Sequence, residues 1–362
     1  MKKVVFIVTL LDSGGIENYL LRFLRFFENQ IEPIVICKGN VFGEIEEDYK
    51  KINHIQLIKM DLIHNLNSFK KLYDLLKNNN VDSIVDFTGN AAGLPLLCAN
   101  FAGIEKRIVF YRGSSNHFKE TIGRLFYDGS LRYITKRNAT AILSNSKSAL
   151  DFFYAKRSIG DSRFKVIYNG IDFNGIDFKK LKKEDFDIPS DGFVIGHTGR
   201  YNYAKNHDTI IKVAERICEK YSNIYFVLCG KNTDVELLDI VSKNSILRDK
   251  VKLLGYRNDV LSILTVFNLY FFPSITEGQP NALIEAMVSG LPIIASDIGP
   301  IKETVPEVLH CELIKPLDFI GFCNRIEEYY LSDSKRKNAN FSQWAVKRFS
   351  PSELFTQFYS EI

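Results

Sequence analysis

No stretch of this 362-residue chain is apolar for long enough to cross a bilayer. The longest apolar runs, such as VFNLYFFP (266–273), fall far short of the ~20 residues a spanning helix needs. No small-residue cleavage site follows the opening MKKVVFIVTLLDSGG, so it reads as a buried first strand and not as a signal peptide. The six cysteines (37, 98, 218, 229, 311 and 323) form no CxxC pair and no His/Cys cluster. Zinc and a disulfide framework are therefore not expected, and free thiols in a reducing cytoplasm are. A GxGxxG fingerprint is missing after the first strand, which argues against an NAD enzyme. The Asp-x-Asp at Asp185-Phe186-Asp187 lies in a polar stretch away from any strand end, so it reads as solvated charge and no metal is expected.

What is present is core material and alternation. With 46% hydrophobic and 25% charged residues, the chain has enough apolar surface for two domains of ordinary size. Short β-branched runs alternate with amphipathic stretches throughout, the signature of βα units on a parallel sheet. The first series is VVFIVTL (4–10), EPIVICK (32–38), DSIVDFT (82–88), RIVFYR (107–112), TAILSNS (140–146) and FKVIYNG (164–170). A second series is GFVIGHTG (192–199), NIYFVLCG (223–230), KVKLLGY (250–256), LYFFPS (269–274) and LPIIASD (291–297). Between them, 174–191 is polar and charged and reads as a linker. The expected fold class is α/β: two tandem doubly wound, Rossmann-like domains, 1–173 and 192–344, facing across a cleft that would hold the site. A final helix over 345–362 would cross back to the first domain.

Charge is uneven. Residues 105–165 carry thirteen Lys/Arg against five Asp/Glu, although the whole chain is only +4. Such a belt suits an anionic partner or a solvated face. No nucleic-acid reading motif accompanies it, so nucleic acid is not expected.

The segment EGQPNALIEAMVSG (277–290) concentrates chemistry. Pro280 opens a helix whose first-turn amides lack intrahelical acceptors and favour an anion. Gly278 allows close backbone approach, and Gln279, Asn281 and Ala282 supply donors. Glu277 and Glu285 flank these amides, roughly matching a ligand with phosphate in its middle and hydroxyls at both ends. At another strand end, HTGRYNYAKNHD (197–208) places Gly199, Arg200 and Lys205, a cation pair suited to a diphosphate.

With IYNGID (167–172), LLGYRNDV (253–260), TLLDSGGIENYLL (9–21) and AILSNSKSALDFF (141–153), these segments resemble the family 4 retaining glycosyltransferases of GT-B fold. The resemblance spans most of the chain, and its specific core is EGQPNALIEAMVSGLPIIASDIGPIKE (277–303) with Gly199-Arg200…Lys205. It implies that Arg200 and Lys205 hold the donor diphosphate and stabilise its developing charge. Glu285 would accept from the ribose hydroxyls, and Glu277 with the Gly278–Ala282 backbone, including Pro280, would position the sugar. The base would lie near Gly255, Tyr256 and Arg257, while Gly14 and Gly15 would approach the phosphate. Retention is open to a double displacement or to front-face attack, in which the departing phosphate takes the acceptor proton.

Two departures stand out. The family commonly has a histidine near the sugar after a first-domain strand. Here Arg112 stands at that point, with His117 five residues on, and either fits the role. The usual Gly-Gly after 291–297 is replaced by IGPIKE, with Pro300 stiffening the loop and Glu303 in its expected place. The expected activity is sugar transfer from a nucleotide-sugar donor to a lipid-linked or surface glycan acceptor, with UDP first and GDP and ADP as alternatives. A GT-B epimerase and a non-catalytic nucleotide-sugar-binding subunit are the competing readings. The expected location is cytoplasmic, peripheral on the inner face of the membrane through 105–165.

Overall fold

The structure, a computed structural model, describes residues 1–12, 14–62, 65, 67–113, 121–158, 160–171, 180–332 and 341–362. The chain divides into two compact units: Met1–Asp172 with Ser350–Ile362, and Phe173–Phe349.

Unit 1 is built on a seven-stranded parallel sheet in the order β3-β2-β1-β4-β5-β6-β7. The strands are β1 (Lys2–Val8), β2 (Ile31–Cys37), β3 (Gln56–Lys59), β4 (Ser83–Asp86), β5 (Lys106–Tyr111), β6 (Ala141–Ser144) and β7 (Phe164–Val166). Both faces are covered by helices, so β1 buries Val4 through Val8 completely, as parallel strands do. The helix Gly15–Phe26 packs on one face through Tyr19, Leu20, Phe23 and Leu24, which recur with helical spacing. Truncating a ring such as Phe23 in this layer costs about 3–5 kcal/mol. Strand β3 is absent from the expected series. Its QLIK sequence is half-exposed at the sheet edge and lacks the continuous apolar run that marks the interior strands.

The C-terminal segment forms two helices, Ser342–Arg348 and Pro351–Glu361, where the sequence suggested one. Pro351 lacks an N–H to continue the first helix and instead opens the second. Only the second belongs to unit 1. It adds Phe355 and Phe358 to the Tyr19–Phe23 cluster and packs its start against Gly170, where a Cβ would come within 2.9 Å of the Pro351 Cα. Lys165 fixes its far end through a 2.7 Å ion pair to Glu361.

Unit 2 has five parallel strands in the order β10-β9-β8-β11-β12, namely β8 (Phe193–Thr198), β9 (Ile224–Cys229), β10 (Val251–Gly255), β11 (Leu269–Phe272) and β12 (Ile293–Ala295). Residues 174–179 of the expected linker lie outside the described residues. The later part is structured: Asp185 accepts from the Lys182 backbone N–H to close a short turn, and Phe186 and Ile188 are buried. In each sheet the order reverses beside the first strand, between β1 and β4 and between β8 and β11. Ligands of doubly wound sheets bind at that switch, outside the carboxyl ends of the strands.

Candidate active site

In unit 2 the residues singled out by sequence converge on this switch point. Strand β8 delivers Gly199, Arg200 and, through a turn at Tyr203–Lys205, the Lys205 ammonium. Asn202 caps that turn by accepting from the Lys205 N–H, and Asn206 follows in the left-handed conformation (φ 58°). Asn206 is buried and donates from Nδ2 to the carbonyls of Pro273 (2.9 Å) and Pro316 (2.7 Å) while accepting from Thr209. The Ile275 N–H donates to the Ala204 carbonyl at 2.8 Å, binding the loop after β11 to the loop after β8. Lys205 and Glu277 therefore meet, with Nζ 2.6 Å from Oε1 and only 16% and 11% of their side chains exposed. Lys205 also lies over the Phe272 ring.

The backbone around this pair is held by glycines. The Gly199 N–H donates to the Cys229 carbonyl and the Gly230 N–H to that of Gly255, stitching the ends of β8, β9 and β10. A Cβ on Gly230 (φ 158°) would sit 2.1 Å from the Gly199 carbonyl oxygen, and one on Gly255 (φ 62°) would strike the Asp234 carboxylate. These positions accept only glycine.

Pro280 stands one residue before the helix Asn281–Val288 and leaves its start without a side-chain cap. Gln279 and Pro280 are buried, while Asn281, Ala282 and Glu285 are half-buried. The buried Tyr270 phenol on β11 bonds the Thr198 hydroxyl at the end of β8 at 2.6 Å. Burial holds its pKa above the usual phenol value, with the charges of Glu285 and Glu277 pushing in the same direction. Arg200 and Tyr256 are exposed. Arg257, also exposed, is engaged in a two-pronged contact with Asp259 (2.8 and 2.7 Å).

Beneath the loop lies a pair that sequence reasoning passed over. His197 on β8 uses Nδ1 to bond the Phe271 carbonyl at 2.9 Å, and its ring is 5.3 Å from that of His207. Burial lowers both pKa values. His207 falls to about 4, helped by the Lys205 charge, and His197 lies well below the usual histidine value. Both histidines lie inside the quoted HTGRYNYAKNHD, but only the pairing of β8 with β11 reveals their supporting place under Lys205.

In unit 1, Gly14 is buried and precedes the helix Gly15–Phe26, and a Cβ on Gly15 would meet nothing within 4 Å. Arg112 follows β5 and stacks 3.8 Å over the Tyr19 ring. His117 lies outside the described residues. Across the switch point, Lys38 donates to the Thr88 hydroxyl (2.8 Å), which itself donates to Asp86 (2.6 Å).

Two switch-point sites on tandem doubly wound sheets define the GT-B class of glycosyltransferase. The chain matches two family descriptions, Glycosyltransferase Family 4 over residues 13–174 and Glycosyl transferases group 1 over residues 178–344. The chain belongs to this glycosyltransferase family, and the expected fold and family are both borne out. It is 27% identical over 304 residues to the capsular polysaccharide biosynthesis glycosyltransferase CapH of Staphylococcus aureus, covering 82% of each chain. It is 26% identical over 328 residues to the UDP-Gal:alpha-D-GlcNAc-diphosphoundecaprenol alpha-1,3-galactosyltransferase of Escherichia coli, covering 86% of this chain and 84% of that one. Among solved structures, Anabaena HepE in complex with UDP superimposes with a TM-score of 0.81 at 20% identity, covering 99% of both chains.

Proposed function

We propose that this glycosyltransferase moves a sugar from UDP to a lipid-linked or surface-polysaccharide acceptor, with retention of configuration and without a metal. The observation that carries the reading is the Lys205–Glu277 pair, held at 2.6 Å at the switch point of unit 2. In this reading the donor diphosphate takes a share of Lys205, with Arg200 as its second cation. These fixed charges neutralise the leaving group where another enzyme would use a divalent ion. Glu277, then less tightly held, accepts from a hydroxyl of the transferred sugar beside the amides of 278–282. Glu285 binds the ribose, and Tyr256 and Arg257 flank the base. A carboxylate already ion-paired to an ammonium is a weak nucleophile, which favours front-face attack over a glycosyl-enzyme intermediate. The acceptor class and UDP are suggested by the activities named for the relatives.

Calorimetry of UDP, GDP and ADP in the presence of EDTA tests the donor site. UDP is expected to bind most tightly, and Glu285→Ala to weaken it by about 10–100-fold through loss of charge-assisted hydrogen bonds. Binding that requires a metal, or that ignores the substitution, would remove the assignment.

For the acceptor, the helix Ile122–Asn138 supplies a surface. Its inward side carries Thr135 and Asn138, both buried, while Ile122, Phe126 and Tyr133 are 90%, 79% and 65% exposed on the opposite side. Leu125 and Tyr127 are also exposed, and Arg132, Lys136 and Arg137 complete the helix. An outward apolar stripe with basic flanks fits an anionic bilayer surface, and the excess of Lys/Arg over 105–165 supports that partner. No helix among the described residues is long and apolar enough to cross a membrane.

A further inference from the structure

We propose that Arg112, with Tyr19 and Asn145, forms a subsite in unit 1 for a sugar carboxylate, making an acidic sugar part of this enzyme's substrate. The inference rests on the glycosyltransferase reading above and gives it a substrate class.

Arg112 leaves the carboxyl end of β5, and Asn145 leaves that of β6. The two ends are adjacent, since β5 and β6 pair through Tyr111↔Ser144 and the Asn145 N–H donates to the Tyr111 carbonyl. The Arg112 guanidinium packs against two aromatics, 3.8 Å from the centre of the Tyr19 ring and 5.0 Å from that of Phe110. Its Nε and Nη1 are cut off from solvent and have no hydrogen-bond partner among the described residues, and no carboxylate there lies within ion-pair distance of it. Burial draws its pKa down to about 10, so it keeps its charge at neutral pH. A guanidinium fixed by stacking, with donors unsatisfied, presents the fork geometry that matches a carboxylate or phosphate. The Glu17 charge offsets the cost of burying this cation only in part, since desolvation still outweighs it, and an incoming anion offsets more of it.

The neighbouring groups choose between the two anions. Asn145 is 2% exposed, and its Oδ1 is buried without a partner among the described residues. Oδ1 accepts and therefore calls for a donor on the ligand. A sugar acid carries several hydroxyls beside its carboxylate, whereas inorganic phosphate at neutral pH has at most one or two O–H groups, all on the anion that the guanidinium would itself hold. The pair Arg112–Asn145 thus reads a carboxylate and a hydroxyl together. Stacking on Tyr19 also ties the subsite to the helix Gly15–Phe26, at whose start stand Gly14 and Gly15, the residues expected to approach the donor phosphate.

The test uses the full chain with saturating UDP. Methyl glucuronide, methyl glucoside and inorganic phosphate are compared by ligand-observed NMR on wild type, Arg112→Met, Arg112→Lys and Asn145→Ala. Wild type should prefer the glucuronide over the glucoside by about tenfold, the size of one charged hydrogen-bond contact. Arg112→Met should erase that preference while UDP affinity stays unchanged, and Arg112→Lys should restore part of it. Asn145→Ala should weaken both sugars alike, and it keeps the test alive should Arg112→Met not fold. A purely structural staple would lower the melting temperature and leave the preference intact. That result, equal binding of the two sugars, or phosphate competing as well as the glucuronide would overturn the proposal. Comparing UDP-glucuronate with UDP-glucose on the same proteins assigns the acid to donor or acceptor. Failure of UDP itself to bind would refute the donor-site reading, and the glucuronide preference would still be read without it.

Discussion

The two sheets share one strand order but furnish their switch points differently. In unit 2 the charges close on one another: Lys205 meets Glu277, glycine contacts lock three strand ends, and neutral histidines lie underneath. In unit 1 the switch point between β1 and β4 is closed by Lys38, Thr88 and Asp86, yet one strand further Arg112 makes no ion pair among the described residues, with the Glu17 charge offsetting its burial only in part. The outward helix Ile122–Asn138 likewise exposes apolar side chains. Closed charge pairs at a site preset it for one ligand chemistry, because the ligand exchanges with a partner already in place. Open charges and open apolar faces mark surfaces completed by what they bind. On the proposed function, unit 2 would be the preset donor side and unit 1 the side completed by what it binds.

The largest effect should come from breaking the closed pair. Lys205→Met removes a cation from the leaving group and strands Glu277 in a poorly solvated position. Transfer, followed as UDP release in the presence of an acceptor extract, should fall by about 10²–10³ in kcat/KM, the usual loss for one electrostatic contact at a transition state. Glu277→Gln should raise KM and lower kcat less, because Lys205 remains. A Lys205→Met enzyme within about threefold of wild type would reduce the pair to a structural clasp and dissolve the contrast between the units.

A smaller effect probes the open side. Phe126→Glu places a charge on the outward stripe without touching the buried face of its helix. Co-sedimentation with vesicles containing an anionic phospholipid should drop by about tenfold, with UDP affinity unchanged, in line with the loss of one buried aromatic anchor. Equal binding to neutral and anionic vesicles, or no response to the substitution, would leave that stripe without a membrane role.

How far the sequence carried this account depended on range. Alternation of apolar runs sufficed for eleven of the strands, most of which are buried on both faces, whereas the edge strand Gln56–Lys59 is half-exposed and too short of apolar residues to give the signal. Glu277, Lys205 and Gly199 were legible because their local context, a helix start or a strand end, carries its own chemistry. Their direct contact was not, since it depends on the Ile275–Ala204 bond between loops 71 residues apart. Likewise nothing local in Arg112 or Asn145 announces an unsatisfied group. That property belongs to the register of β5 against β6, and periodicity does not encode it. The helix break at Pro351 was readable in principle, and propensity over 345–362 concealed it.

The smallest effect tests what lies under the closed pair. His207 has a folded pKa of about 4 against the ordinary 6.5, lowered first by burial and then by the Lys205 charge, with Asp208 and a backbone bond to Asn202 favouring protonation. Since the folded value is the lower one, the unfolded chain binds more protons between pH 6.5 and 4. Stability is then complete above 6.5 and is lost as pH falls through that window, by at most about 3 kcal/mol for this group. Thermal unfolding from pH 7 to pH 4 should show this slope, and His207→Gln should flatten it while leaving stability at pH 7.5 within about 1 kcal/mol. An unaltered slope in His207→Gln would mean that carboxylates elsewhere set the acid limit. The neutral histidine floor would then contribute packing to the donor site and no electrostatic control.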